Sequence, residues 1–306
     1  IWTGVPIFSA NMDTTGTFET AITLQKHKML TAIHKFYSIK DWEKNVEKLD
    51  PNFISVTVGQ SKEDLQLGQK IFSLNSDIKY LCIDVANGYR EDFINSVKNY
   101  RETFPDKIII AGNVATREMT EALILAGADI VKIGIGPGSV CTTRSVAGVG
   151  YPQLSSISEC SDAAHGLGGH VMADGGCKYP GDVSKAFGAG ADYVMLGGMF
   201  AGHKESGGEL VTDEEGVQYK DFYGMSSTKA QQTYYGDLAE HRAPEGKKVR
   251  LRYKGELDKT VQSILGGMRS ACSYVGAKKL KDLPKSTTFI RVTQTTNEIF
   301  TGSENI

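Results

Sequence analysis

Short apolar runs rich in β-branched residues recur along the chain every 20 to 30 residues, at 5–10, 30–34, 53–58, 80–85, 107–111, 129–133, 170–173 and 193–196. Continuous apolar character over so few residues predicts strands buried on both faces of a parallel sheet. Between these runs, 18–27, 41–49, 62–74, 91–103, 117–126, 155–166 and 181–188 carry helix-like periodicity or composition. Eight strand–helix units predict an α/β chain closed as a (β/α)8 TIM barrel, a fold of ~250 residues, rather than an open doubly wound sheet with a small second domain.

The chain has 306 residues, and the surplus has a place. From 203 to 254 the sequence turns polar, with Gly207-Gly208, Asp213-Glu214-Glu215-Gly216 and Lys247-Lys248. Alternation at 217–223 and 249–253 predicts a hairpin-like excursion carrying a loop, an active-site flap inserted after strand eight. Helical pattern resumes at 257–265, read as the eighth helix, and a second apolar stretch covers 271–275. The expectation is one barrel domain over 1–306 with this single insertion.

Composition narrows the function classes. Hydrophobic residues are 40% and charged residues 23%, enough apolar side chain for a sizeable core and too much for a disordered chain. A net charge of −2 advertises no nucleic-acid partner. No apolar run approaches the ~18 residues of a membrane span. The opening Ile1-Trp2-Thr3-Gly4 has neither the basic nor the apolar part of a signal peptide. Five cysteines without paired spacing predict reduced thiols and a cytoplasmic location.

Glycine is the outlier at 34 of 306, about 11% against ~7% usually. The densest cluster follows the sixth strand: Gly134-Ile135-Gly136-Pro137-Gly138-Ser139-Val140-Cys141-Thr142-Thr143-Arg144. Its spacing is wrong for a dinucleotide fingerprint. Such a backbone can turn carbonyls or amides toward a ligand, as a cation cage or an anion nest, and Cys141 is either a nucleophile or an inert small side chain in a turn. Asp174-Gly175-Gly176 and Gly197-Gly198 end the seventh and eighth strands, where barrels often bind phosphate, so the pair predicts a mononucleotide with Asp174 on its ribose. Asp84 ends strand four. Asp13 after strand one reads as a helix N-cap, and His34 and Lys35 as polar residues at the barrel mouth. The remaining cysteines and histidines show no metal spacing and read as packing or surface.

The loop 136–144 resembles the catalytic loop of the IMP dehydrogenase/GMP reductase family. The resemblance runs over essentially the whole chain and extends to Ala10-Asn11-Met12-Asp13, Ala173-Asp174-Gly175-Gly176, Leu196-Gly197-Gly198-Met199, Tyr223-Gly224-Met225-Ser226 and Leu265-Gly266-Gly267-Met268-Arg269-Ser270. Asp84-Val85-Ala86-Asn87-Gly88-Tyr89, Ala111-Gly112-Asn113-Val114 and a short flap with Arg242-Ala243-Pro244-Glu245-Gly246 look like the reductase branch. Direct passage from Lys35 to Asp41 leaves no room for the regulatory domain that dehydrogenases usually insert. The family's N-terminal arm, part of which touches the cofactor, is absent from these residues.

The resemblance implies NADPH-dependent reductive deamination of GMP to IMP and ammonia, with oxidation of IMP by a dehydrogenase as the alternative. Cys141 would attack purine C2, with Thr143 and Glu245 moving the proton to the leaving amine. Ser139, Gly175, Gly176, Gly197, Gly198 and the Tyr223 hydroxyl would hold the phosphate side of the nucleotide. Asp174 would take the ribose, and Gly224, Met225, Ser226 and the flap residues Arg242, Ala243, Pro244, Glu245 and Gly246 the base. The cofactor is expected against Lys35, Asp84, Val85, Ala86, Ile135, Gly136, Met225, His241 and Arg242. Ser270, Ala271, Cys272 and Ser273 would reach it from a neighbouring subunit of a homotetramer. Gly136, Gly138, Cys141 and Arg144 resemble a monovalent-cation loop, with potassium the usual ion.

Overall fold

The computed structural model describes residues 2–236 and 243–293. Eight parallel strands pair in sequence order: β1 (Ile7–Ser9), β2 (Leu30–Ile33), β3 (Ile54–Val58), β4 (Tyr80–Asp84), β5 (Ile108–Val114), β6 (Ile130–Ile133), β7 (His170–Asp174) and β8 (Tyr193–Leu196). The barrel closes where Phe8 of β1 sits opposite Met195 of β8, with Leu30 of β2 on its other side. This is the predicted TIM barrel, with every strand within a few residues of its expected place.

Side-chain alternation divides the core as a barrel requires. Leu81, Ile83, Ile109, Ala111, Val131 and Val171 face outward, packed with Phe93, Val97 and Tyr100 from the helices. Their alternates, including Phe8, Leu30, Tyr80, Cys82, Ile110, Ile130 and Met172, fill the barrel. Trp2 packs against Phe53 and Tyr193, and its indole N–H donates to the Asn52 carbonyl at 3.0 Å.

The helices are α1 (Phe18–Leu24), α2 (Ile39–Asn45), α3 (Lys62–Leu74), α4 (Glu91–Thr103), α5 (Arg117–Leu125), α6 (Thr143–Val146), α7 (Gln153–Gly166), α8 (Pro180–Gly188), α9 (Thr228–Tyr234), α10 (Leu257–Val275) and α11 (Leu283–Ser286). Short α6, α9 and α11 are additions to the expected set, and two larger features differ from expectation. The stretches 257–265 and 271–275 are one continuous helix, α10, because Leu257, Val261, Ile264 and Met268 form one buried face at helical spacing. Gly267 inside it is a packing device: a Cβ there would lie 2.6 Å from Pro180 at the start of α8. The insertion is also more than a hairpin. Strands β9 (Leu210–Thr212), β10 (Gln218–Tyr223) and β11 (Lys248–Arg252) form an antiparallel sheet in the order β11–β10–β9, and α9 lies between β10 and β11 in the chain. Among the described residues no helix is long and apolar enough to cross a membrane.

Helix starts follow local chemistry. Ser61 accepts the Asp64 amide at 3.1 Å, and Asp64 accepts the Ser61 amide at 3.0 Å, a reciprocal cap on α3. Both residues belong to the β3–α3 connection, and neither is among the residues assigned to the candidate site. Ser61→Ala should therefore lower stability by about 1 kcal/mol and Ser61→Gly by only a few tenths, with activity unchanged. Urea unfolding curves check this, and equal midpoints for the two variants would contradict the capping role.

Candidate active site

Three loops meet at the C-terminal mouth of the barrel. Those after β6, β7 and β8 approach so closely that a Cβ on Gly198 would fall 2.9 Å from the Ser139 hydroxyl. Gly175 lies against Pro137 and the Gly138 amide in the same way. The predicted phosphate residues Ser139, Gly175, Gly176, Gly197 and Gly198 thus share one corner, where hydroxyl and backbone groups gather without a carboxylate among them.

The insertion supplies the opposite wall through a short strand-like segment, 245–247. Thr142 donates its amide to the Glu245 carbonyl at 3.1 Å, and Lys247 donates to the Val140 carbonyl at 2.9 Å. On the other side, Glu245 donates to the Ser226 carbonyl at 3.1 Å, and Gly246 bridges both Cys141 and Ser227. This pairing carries the Glu245 side chain to the Cys141 loop. Thr143 Oγ1 donates to Glu245 Oε2 at 2.7 Å and lies 3.2 Å from Cys141 Sγ. A hydroxyl has one proton to give. With it committed to Glu245, the thiol is the donor toward Thr143, and the chain runs Cys141 to Thr143 to Glu245.

Beneath this, a lysine is buried in the barrel. Lys132 on β6 is 2% exposed, and its ammonium lies 2.7 Å from Asp84 Oδ1 and 2.8 Å from Asp174 Oδ2. Burial alone would push the Asp84 carboxyl up; Lys132, Lys35 and a hydrogen bond from Asn11 outweigh it and hold the pKa below the usual carboxylate range. Burial likewise disfavours the Lys132 cation, but Asp174 and Asp84 overcome it and raise its pKa. Asn113 Nδ2 donates to Asp174 Oδ2 at 2.9 Å. Both contacts fall on one oxygen, which leaves Oδ1 for a ligand.

The rim contains an arrangement that differs from the sequence expectation. Asp13 is no helix cap: Thr17 caps α1, accepting the Thr20 amide at 3.1 Å. Asp13 Oδ2 instead accepts the hydroxyls of Tyr223 and Tyr234, the second at 2.7 Å. Tyr223, expected to offer its hydroxyl to phosphate, gives that proton to Asp13 here. Tyr234 stacks on Phe36 with ring centroids 3.6 Å apart, tying α9 to the loop after β2. His34 is buried, and desolvation lowers its pKa to about 4 against the opposing pull of Asp13 and Asp41. Its Nδ1 accepts the Phe36 amide at 3.2 Å, so it is a neutral packing group.

Other expected residues fall elsewhere. Lys35, Asp84, Val85 and Ala86 lie together at the ends of β2 and β4, and Ile135 and Gly136 begin the Cys141 loop. The Arg144 guanidinium packs beside Gly136 and donates to the Tyr151 carbonyl at 2.6 Å. Ser270, Ala271, Cys272 and Ser273 sit in the last turns of α10, and among the described residues none is hydrogen-bonded to the Cys141 loop. His241 and Arg242 lie outside the described residues; Ala243 and Pro244 are exposed at the flap. Lys132, Asn11 and Tyr234 were missed. The available signal for Lys132 was a lone charge inside the apolar strand Ile130–Ile133.

Removing Lys132 would leave two carboxylates facing one another without compensation. Lys132→Met should destabilise the ligand-free protein by about 3–5 kcal/mol, the usual cost of breaking a buried ion pair from one side. Adding Asp84→Asn should recover part of it. Chemical denaturation checks both, and parental stability in Lys132→Met would show that the charges are not coupled.

The matches to known proteins agree with this geometry. A family model described as IMP dehydrogenase / GMP reductase domain matches residues 1–299. A GMP reductase of Buchnera aphidicola subsp. Acyrthosiphon pisum (strain Tuc7) is 57% identical over 303 residues, 98% of this chain and 86% of that protein. GMP reductase 2 of Homo sapiens is 56% identical over 303 residues, covering 98% and 86%. A GMP reductase of Caenorhabditis elegans is 55% identical over 306 residues, covering 99% and 85%. With a family match over nearly all its length, the chain belongs to the IMP dehydrogenase/GMP reductase family.

Proposed function

We infer that the chain is a GMP reductase: an oxidoreductase of purine metabolism that converts GMP to IMP and ammonia with a nicotinamide cofactor, proposed to be NADPH. Relatives named GMP reductase at 55–57% identity support the reductase over the dehydrogenase. The observation that carries the mechanism is the hydrogen-bonded chain Cys141–Thr143–Glu245.

An amine on an aromatic carbon is a poor leaving group, and a covalent intermediate divides the difficulty. Cys141 Sγ bonds to purine C2 as its proton passes through Thr143 to Glu245. The threonine hydroxyl is too weak an acid to act alone, so the carboxyl returns the proton to the 2-amino nitrogen. The C2–N bond then breaks, ammonia leaves, and a thioimidate joins C2 to Cys141. A nicotinamide cofactor held near Asp84 and Lys35 would supply the hydride that displaces sulfur from C2, giving IMP and returning Cys141 as its thiolate. Meanwhile the 245–247 segment covers the loop, and exclusion of water prevents hydrolysis of the thioimidate.

The donor sets fit these ligands. Ser139 with Gly175, Gly176, Gly197 and Gly198 suits phosphate. Tyr223 adds its hydroxyl where phosphate competes with Asp13. Asp174 Oδ1 suits the ribose, and Asn113 Oδ1, buried with no donor among the described residues, accepts from a bound ligand. Met225 and Ser226, with the flap residues, read the base. The Asp84 carboxyl, held ionised, is an acceptor for cofactor hydroxyls, with Lys35, Val85, Ala86, Ile135 and Gly136 around it and His241 and Arg242 from the flap. Carbonyls of Gly136, Gly138 and Cys141 form a neutral oxygen set, which suits a monovalent ion such as potassium better than a divalent one. A homotetramer would bring Ser270–Ser273 to a neighbouring cofactor site; Tyr274 beside them is 92% exposed. All five cysteines are free, which supports a reducing, cytoplasmic setting.

Cys141→Ser should abolish turnover while GMP still binds, because the hydroxyl is nearly isosteric and far less nucleophilic. Appreciable steady-state NADPH oxidation by this variant would contradict covalent catalysis.

Glu245→Gln separates the half-reactions. Ammonia departure should slow by ~10²-fold or more, as for loss of a positioned acid–base group. In reverse, at alkaline pH where solvent base can take the Cys141 proton in place of Glu245, IMP and NADP⁺ should still give a burst of NADPH and then stall before amination. If ammonia release and hydride transfer slow equally in single turnovers, Glu245 only positions the flap.

A further inference from the structure

At the opposite end of the barrel, three side chains from separate segments converge. His165 lies in the last turn of α7, His170 is the first residue of β7, and Asp192 immediately precedes β8. His165 Nε2 is 2.9 Å from Asp192 Oδ2, and His170 Nδ1 is 3.4 Å from Asp192 Oδ1. Among the described residues this is the one group of three such side chains whose ligand atoms all lie within 4.8 Å of one another. None takes part in the reaction described above.

We propose that His165, His170 and Asp192 form a binding site for a zinc-class divalent metal ion, with water completing the coordination. Two imidazole nitrogens and one carboxylate oxygen are the ligand types that zinc accepts, and three protein ligands with one open position is a known form of site. Tetrahedral zinc with bonds of 2.0–2.1 Å separates its ligand atoms by about 3.3 Å; the two imidazole nitrogens lie 2.9 and 3.4 Å from the Asp192 oxygens, and no pair in the set is more than 4.8 Å apart. The frame is set before any ion arrives. Asp192 Oδ2 accepts the Val171 amide at 2.9 Å, the kind of outer contact that orients a metal-binding carboxylate. The chain between the histidines is fixed by Gly168 donating to the His165 carbonyl and Gly169 to the Ala164 carbonyl. All three side chains keep a solvent-facing fraction, His165 46%, His170 53% and Asp192 28%, so an ion and its water have access.

The ion would join the end of α7 to the starts of β7 and β8. Those strands present Asp174 and the Gly197-Gly198 pair at their far ends, four residues or roughly 13 Å along β7. Conservation of the fold, rather than chemistry, is the usual business of this barrel face. The site therefore stabilises the β7–β8 seam and leaves turnover alone.

Cobalt(II) titration of the metal-stripped protein tests this, since cobalt replaces zinc and its absorption reports the ligands. The expected result is one equivalent bound with visible bands and no near-ultraviolet sulfur-to-cobalt band, which separates this site from Cys141 and the other thiols. Zinc should displace the cobalt and raise the melting temperature. His165→Ala and His170→Ala should each weaken binding by at least the ~10–100-fold that loss of an outer contact costs. Both variants should keep parental activity with GMP and NADPH. No binding, binding with a sulfur band alone, or unchanged affinity in the double variant would overturn the proposal.

Discussion

The charge on Lys132 organises the mouth of this barrel. A buried ammonium is tolerable only with its charge compensated, and the compensation here is a carboxylate on each side, from β4 and from β7. This fixes the ends of three strands at once. It also keeps Asp84 ionised on the side proposed for the cofactor, while Asp174 on the side proposed for the nucleotide is bound through a single oxygen. A polar network of this kind is useful because the groups it leaves free, Asp174 Oδ1 and Asn113 Oδ1, face a defined task instead of a choice of partners.

The barrel alone does not complete the site. Cys141 and Thr143 lie on a loop after β6, whereas Glu245 is more than a hundred residues further along the chain. Backbone pairing of 245–247 with both the Cys141 loop and 224–227 brings them together, so the three-member chain exists only when that segment is seated. Tyr234 adds a second attachment, through Asp13 and Phe36. Chemistry and coverage of the site consequently depend on the same segment, which suits an intermediate that water would divert.

Much of this was legible in the sequence because it is written locally. Helix α3 has its Ser61–Asp64 cap and its apolar face in one window, and β8 is a four-residue apolar run between charged and glycine-rich neighbours; both occur where the pattern puts them. The Cys141 loop stood out through glycine density and motif. What escaped notice depends on contacts between distant segments. Asp13 carries the signature of a cap, but a tertiary contact with two tyrosines claims it. The stretches 257–265 and 271–275 read separately, yet one buried face carries α10 through Gly266-Gly267, and Gly267 is small because Pro180 packs against it. His165, His170 and Asp192 have no motif spacing; the α7–β7 turn and the pairing of β7 with β8 make them neighbours. Lys132 is a lone charge in an apolar strand, but nothing in the sequence pairs it with Asp84 and Asp174.

In a GMP reductase built this way, one active site removes ammonia from GMP and then reduces C2. Measuring ammonia, IMP and NADP⁺ together during turnover of GMP with NADPH tests it directly. Equal amounts of all three are expected at every time point beyond the first turnover. Ammonia formed without NADP⁺, accumulation of XMP in place of IMP, or turnover confined to IMP with NAD⁺ would contradict it.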